Sequence, residues 1–182
     1  MSIRPIKLQS GATPTMEGAG VHLHRVFGFG DTDMFDPFLM MDDFRNDDPE
    51  QYLKGFPWHP HRGIETITYV LKGNVEHADS LGNKGVLSDG DVQWMTAGSG
   101  IIHQEMPTGN AAGQMHGFQL WANLPRDQKM CTPRYQDVKS ADISSLTDDD
   151  GTHIRVIAGD YRGYCGPVDG IDSGYRTPRE QQ

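Results

Sequence analysis

The sequence predicts an all-β fold, a sandwich or barrel of short strands. The 182 residues include 22 glycines and 11 prolines with no collagen-like period, the punctuation that many short strands need at their turns. No window sustains an apolar i, i+3, i+4, i+7 stripe long enough for an extended helix. Several runs instead alternate apolar and polar residues, the period of a half-buried strand. The length suits one domain that buries its own core without a disulfide or metal staple.

Each element follows from local pattern. The first twenty residues are polar and glycine-rich, an entry loop or an irregular strand. Val21-His22-Leu23-His24-Arg25-Val26-Phe27 alternates as a strand and is closed by Gly28-Phe29-Gly30. Residues 37–41 form a second short apolar run ended by Asp42-Asp43, and a polar loop covers residues 45–54. Residues 64–71 are rich in β-branched and aromatic side chains and stop at Gly73. Residues 74–80 alternate, turns follow at 80–83 and 88–91, and Val92-Gln93-Trp94-Met95 begins the next strand. Residues 116–124 alternate most cleanly, placing Phe118, Leu120, Ala122 and Leu124 on one face. That face reads as inward, so His116 at its start is a candidate for a pocket wall, and Pro125 ends the strand. After Lys139 the pattern weakens to an Asp148-Asp149-Asp150-Gly151 turn, one strand over 152–158 and a tail with little to form a core.

Charge and composition exclude several function classes. The net charge is −9 with no basic stripe, which argues against direct nucleic-acid binding through phosphate neutralisation. Apolar stretches are too short for a membrane-spanning helix, and residues 1–9 lack the apolar region of a secretory signal. Cys131 and Cys165 make neither a disulfide framework nor a zinc ribbon, and neither shows a base partner that would mark a nucleophile. A soluble cytoplasmic protein is expected, or a nuclear one in a eukaryote.

Two segments carry chemistry. The first is Gly55-Phe56-Pro57-Trp58-His59-Pro60-His61-Arg62-Gly63-Ile64-Glu65, running on to Gly73, and the second is Gly90-Asp91-Val92-Gln93-Trp94-Met95-Thr96-Ala97-Gly98-Ser99-Gly100-Ile101-Ile102-His103-Gln104-Glu105. In extended backbone, residues i and i+2 share a face. His59 and His61 can therefore point together, as can His103 and Glu105. Two neighbouring strands offering these pairs inward would enclose one cation with three imidazoles and a carboxylate. That set suits Fe, Mn, Co, Ni, Cu or Zn, and ligand type alone does not choose among them. His22-x-His24 has the same spacing but lies outside both segments. His77 reads as an ordinary strand residue, Trp94 and Trp121 as core, and Gly98-Ser99-Gly100 as a turn rather than a phosphate loop.

The two segments resemble the paired motifs of the cupins, with Thr96-Ala97-Gly98 where the general pattern has Pro-x-Gly. In detail, His59-Pro60-His61-Arg62-Gly63-Ile64-Glu65-Thr66 with Gln93-Trp94-Met95-Thr96-Ala97-Gly98 and His103-Gln104-Glu105-Met106 is similar to the pirin family. Asp36-Pro37-Phe38-Leu39-Met40-Met41-Asp42-Asp43-Phe44 and Gly117-Phe118-Gln119-Leu120-Trp121-Ala122-Asn123-Leu124 add to the likeness, which spans residues 21–135. It implies a cupin β-barrel, also called a jelly roll or double-stranded β-helix, with iron, Fe(II) or Fe(III), held by His59, His61, His103 and Glu105. It places Glu65 behind the ligands, where a carboxylate orients an imidazole. It divides the chain into an N-terminal segment (1–20), a metal-binding cupin domain (21–139) and a strand and tail (140–182) that start a second, incomplete cupin domain. Surface normally covered by that second domain would be free, so a homo-oligomer is expected.

The activity this resemblance implies is a flavonol (quercetin) 2,3-dioxygenase. A flavonol and O2 are the substrates, the ring is cleaved with release of carbon monoxide, and Glu105 is the catalytic base. The alternative is an iron-dependent regulatory protein that contacts a transcription factor or metabolic enzyme, a protein partner suiting the acidic surface.

Overall fold

A computed structural model describes residues 5–170. Its barrel is built from β1 (Thr13–Glu17), β2 (Val21–Phe27), β3 (Phe38–Asp43), β4 (Phe56–His61), β5 (Ile64–Lys72), β6 (Val75–Asp79), β7 (Lys84–Leu87), β8 (Val92–Thr96), β9 (Ile101–Pro107), β10 (His116–Asn123) and β11 (Arg134–Val138). They form a seven-stranded sheet, ordered β1-β2-β3-β10-β5-β8-β11, and a four-stranded sheet, ordered β4-β9-β6-β7. Neighbours pair antiparallel throughout both sheets. Two small ribbons follow, β12 (Ser144–Thr147) with β13 (His153–Val156) and β14 (Asp160–Tyr161) with β15 (Tyr164–Cys165). The helical element α1 (Thr32–Phe35) is a single turn. The all-β expectation therefore holds, and no described helix is long and apolar enough to cross a membrane.

Alternation along β5 explains how the barrel is filled. Ile64 joins Met95, Ala97 and Ile101 in one apolar cluster. Val70, at the other end of the strand, joins Val21, Leu23, Tyr52, Val75, Leu87 and Met115 in another. Between them Thr66 and Thr68 point the same way, and they share the barrel with buried Gln93, His103, Glu105 and His77. The interior is thus an apolar sandwich with a polar middle, a place where buried polar atoms must find partners.

The odd positions of β5 face the other way. Ile67 packs with Val92, Ala122, Val138, Ile143 and Val168, with Phe38, Trp94, Leu120 and Ile157 against them. This outer core is covered by the segment after β11. There Val168 bridges to Ala158, and Gln136 exchanges hydrogen bonds with the backbone of Asp169 at 3.0 and 3.1 Å. Arg134 Nη2 donates to the carbonyl of Gly170. Residues 168–170 thus pack on their own barrel, and the tail beyond residue 170 lies outside the described residues.

This second core corrects the reading of β10. Phe118, Leu120 and Ala122 alternate as expected, but Leu120 and Ala122 belong to the outer core, whereas Gln119 and Trp121 look into the barrel. Both faces of β10 carry apolar side chains, so periodicity alone could not say which is inside. His116 is accordingly no pocket residue; its Nε2 lies 3.9 Å from Asp43 Oδ1.

Candidate metal centre

The two motifs meet because their turns are tied together. Gly63, between β4 and β5, donates its N–H to the carbonyl of Gly98, between β8 and β9, at 2.8 Å. Gly98 has φ +49°, and a Cβ there would stand 2.2 Å from the Cys131 carbonyl oxygen, so both conformation and space require glycine. From these turns β4 and β9 run back antiparallel with His59 opposite His103 and His61 opposite Ile101. Burial along β9 alternates, with Ile101, His103, Glu105 and Pro107 inside.

Three imidazoles converge. Ring centroids are 4.7 Å apart for His59 and His61, 4.4 Å for His59 and His103, and 4.9 Å for His61 and His103. One nitrogen from each lies within 4.8 Å of the others. Burial pushes His61 down to about 3, helped by the neighbouring imidazoles and opposed by the Glu105 carboxylate. Burial also pushes His103 down to about 3. Both rings are therefore neutral near pH 7 and keep a free lone pair. His59 Nδ1 stands 2.8 Å from the carbonyl oxygen of Pro57, which assigns the proton to Nδ1 and leaves Nε2 as the acceptor. His103 Nε2 is buried without a hydrogen-bond partner. An orphaned nitrogen beside two other available lone pairs fits a cation-binding site.

Glu105 shares this cavity but stands outside the trio of nitrogens. Its Oε1 accepts from Thr68 Oγ1 at 2.9 Å, and that hydroxyl also lies 2.7 Å from the Gln119 side-chain amide. One hydroxyl has one proton. With that proton on the Glu105 side, the contact at Gln119 requires the amide to present its NH2 to Thr68 in place of the Oε1 that stands there. Sequence reasoning missed this Thr68–Gln119 pair, although a threonine at an inward position of the apolar 64–71 run was its available signal.

Glu65 is placed elsewhere than expected. It is fully buried, shares the outer face of β5 with Ile67, and accepts from Thr96 Oγ1 at 2.8 Å. Strand alternation turns it away from the imidazoles, so it does not orient one of them. His22 and His24 are exposed on the outer face of β2, whereas Val21, Leu23 and Arg25 line the cavity. Trp121 is no plain core residue either. It stands in the cavity wall with its ring 4.9 Å from that of His61, at 77°.

The cavity has a volume of about 480 Å³, within the range of small-molecule sites. Its walls are mostly apolar, including Val75, Met115, Phe56 and Trp121, with two polar patches. One patch is His59 and His61 with Glu105. The other is Arg25, which donates from Nε and Nη2 to the two oxygens of Asp42 at 2.8 and 2.9 Å and also meets Glu17 at 2.9 Å. The site can therefore hold a cation at one end and an uncharged, ring-containing molecule along its length.

Comparison with known proteins agrees with this geometry. The sequence profile of the Pirin family matches residues 20–122. A pirin-like protein of Caulobacter vibrioides is 47% identical over 171 residues, covering 93% of this chain and 62% of its own length. Among solved structures, a quercetin 2,3-dioxygenase from Acinetobacter baumannii superposes with a TM-score of 0.76 at 34% identity, covering 88% of this chain and 58% of that one. A bacterial pirin from Escherichia coli in complex with nickel(II) does so with 0.54 at 30% identity, covering 71% and 56%. The chain thus spans about three fifths of the length of each. With its antiparallel cupin barrel and its three clustered histidines, the chain belongs to the pirin family.

Proposed function

We propose that this chain is the metal-binding part of a flavonol 2,3-dioxygenase of the quercetinase type, with iron held by His59, His61, His103 and Glu105. The observation that carries the reading is a buried, unpartnered imidazole nitrogen on His103, in a cluster of three whose His59 and His61 line an apolar cavity sized for a small aromatic molecule. The A. baumannii relative supports the reaction class. The nickel(II) in the E. coli pirin supports a metal-binding role and leaves the ligand set and the choice of iron as our own. The domain division belongs to the same reading, with the metal-binding domain over 21–139 and the start of a second cupin domain over 140–182.

When bound, the metal would supply Lewis acidity and a path for electrons between flavonol and O2. The protein's part is to bind, orient and move one proton. The apolar walls exclude water from the flavonol rings. Burial keeps His61 and His103 unprotonated, and the Pro57 carbonyl fixes the His59 tautomer. Glu105 accepts the proton of the flavonol hydroxyl, and Thr68 holds the carboxylate in place through Oε1. A modest turn of Glu105 toward the imidazoles would let one carboxylate serve the metal and the proton in succession.

The test pairs metal analysis with oxygen uptake. Metal-loaded protein is expected to consume O2 with quercetin and release carbon monoxide, while a chelated control does not. Full metal with no uptake would overturn the enzymatic reading and favour an iron-dependent protein-binding role.

A further inference from the structure

We infer that Phe29 is the outer jaw of an aromatic clamp whose inner jaw is Trp121, and that this pair selects planar aromatic substrates for the cavity. The inference rests on the flavonol reading for its substrate and adds a specificity residue to it. Phe29 is 61% exposed and stands at the rim of the cavity. Its ring centroid is 5.9 Å from that of Trp121, inclined at 60°. Trp121 in turn meets His61 edge-on. Three rings therefore step from the solvent to the imidazoles. A planar molecule lying along these rings could stack on them, since offset or tilted stacking is the arrangement aromatic pairs prefer.

The segment that carries Phe29 is anchored yet open. Phe27 and Phe35 stack at its two ends, 4.2 Å apart and 9° from parallel. The Gly28 N–H donates to the Asp31 carboxylate at 3.0 Å, closing the turn beneath the ring. Beyond Phe29, a Cβ on Gly30 would have nothing within 4 Å. An apolar ring this exposed gains burial once a ligand lies against it. A non-aromatic ligand would gain the burial but not the stacking, which is where the selectivity comes from.

The test measures binding by the full, metal-loaded chain without O2, so that no turnover intervenes. Isothermal titration with quercetin and with 2-naphthol gives the two affinities. Phe29→Ala is expected to weaken both by about tenfold, Phe29→Leu by less, and Phe29→Tyr and Phe29→Trp by little. Because Phe29 is exposed, Tm and metal content should match the parent. In turnover, KM should rise with kcat changing less. Unchanged quercetin affinity in Phe29→Ala overturns the clamp and leaves the flavonol reading standing. Phe29-dependent binding of 2-naphthol with no binding of quercetin supports the clamp and removes flavonols as its substrate. No binding of either probe overturns both.

Discussion

His22 and His24 on β2 share the spacing of His59 and His61 on β4, and both pairs sit on strands of one barrel. The first pair is exposed and the second converges with His103. What separates them is the partner residues on the same strand. Val21 and Leu23 are buried, and alternation then sends His22 and His24 outward. On β4 the pairing of His59 with His103 across to β9 fixes the opposite outcome. Spacing brings two imidazoles to one face; cross-strand register decides which face that is.

Breaking the buried set has the largest expected effect. His103→Ala removes the nitrogen that has no other partner, so metal content measured by mass spectrometry should collapse and oxygen uptake with it. His22→Ala should leave both unchanged, and equal loss in that variant would mean the wrong pair has been chosen. Next comes the carboxylate. Glu105→Gln keeps the shape but removes the base, so metal should persist at lower affinity while kcat falls roughly 10²–10⁴-fold. Glu65→Gln sharpens the contrast between the two faces of β5. It should cost stability of roughly 1–3 kcal/mol in denaturant titration and change turnover far less. A dead Glu65→Gln protein with full metal would reverse the two roles.

A subtler effect comes from pH. Burial holds folded His61 and His103 near about 3, against an ordinary value of 6.5. Between those values the unfolded chain binds protons that the folded chain does not. The contribution of these rings to the stability of the metal-free protein is therefore complete above about pH 6.5 and is lost as pH falls toward about 3. Thermal unfolding of metal-free protein should show Tm declining across that window. Metal-free His103→Ala should decline less steeply.

The smallest effect concerns Thr68. Thr68→Val removes the donor to Glu105 Oε1 and should cost about 1 kcal/mol of stability with a fall in kcat and unchanged metal content. Equal kcat would show that Glu105 needs no such anchor.

These contrasts also show how much was legible in the sequence. The convergence of His59, His61 and His103 was readable because their spacing and glycine-flanked strands are local signals. The Thr68–Glu105 contact was not, because it joins residues 37 apart in sequence through the curvature of two facing sheets. Glu65 was read on the wrong side because a motif position says nothing about which face of a strand it occupies. The same ignorance of faces inverted β10, whose outer side became a second core once residues 143–168 folded over it. Strands β11 and β12 were hidden by polar residues such as Gln136, Asp137 and Ser145, which the alternation test reads as loop. The metal stayed undecided because three imidazoles and a carboxylate serve several transition ions.

The sheet order has a consequence for how the cation comes and goes. β4, which carries His59 and His61, is an edge of the four-stranded sheet and, among the described residues, pairs only with β9, whereas β5 and β10 each pair with a strand on both sides. Edge strands fray at a small fraction of the free energy that global unfolding requires. Peeling β4 away would release two of the three nitrogens while the seven-stranded sheet stays intact. Loading and loss of an ion would then follow the local opening of β4, which amide exchange along that strand reports, rather than opening at the centre of the fold, and a chelator would empty the protein without melting it.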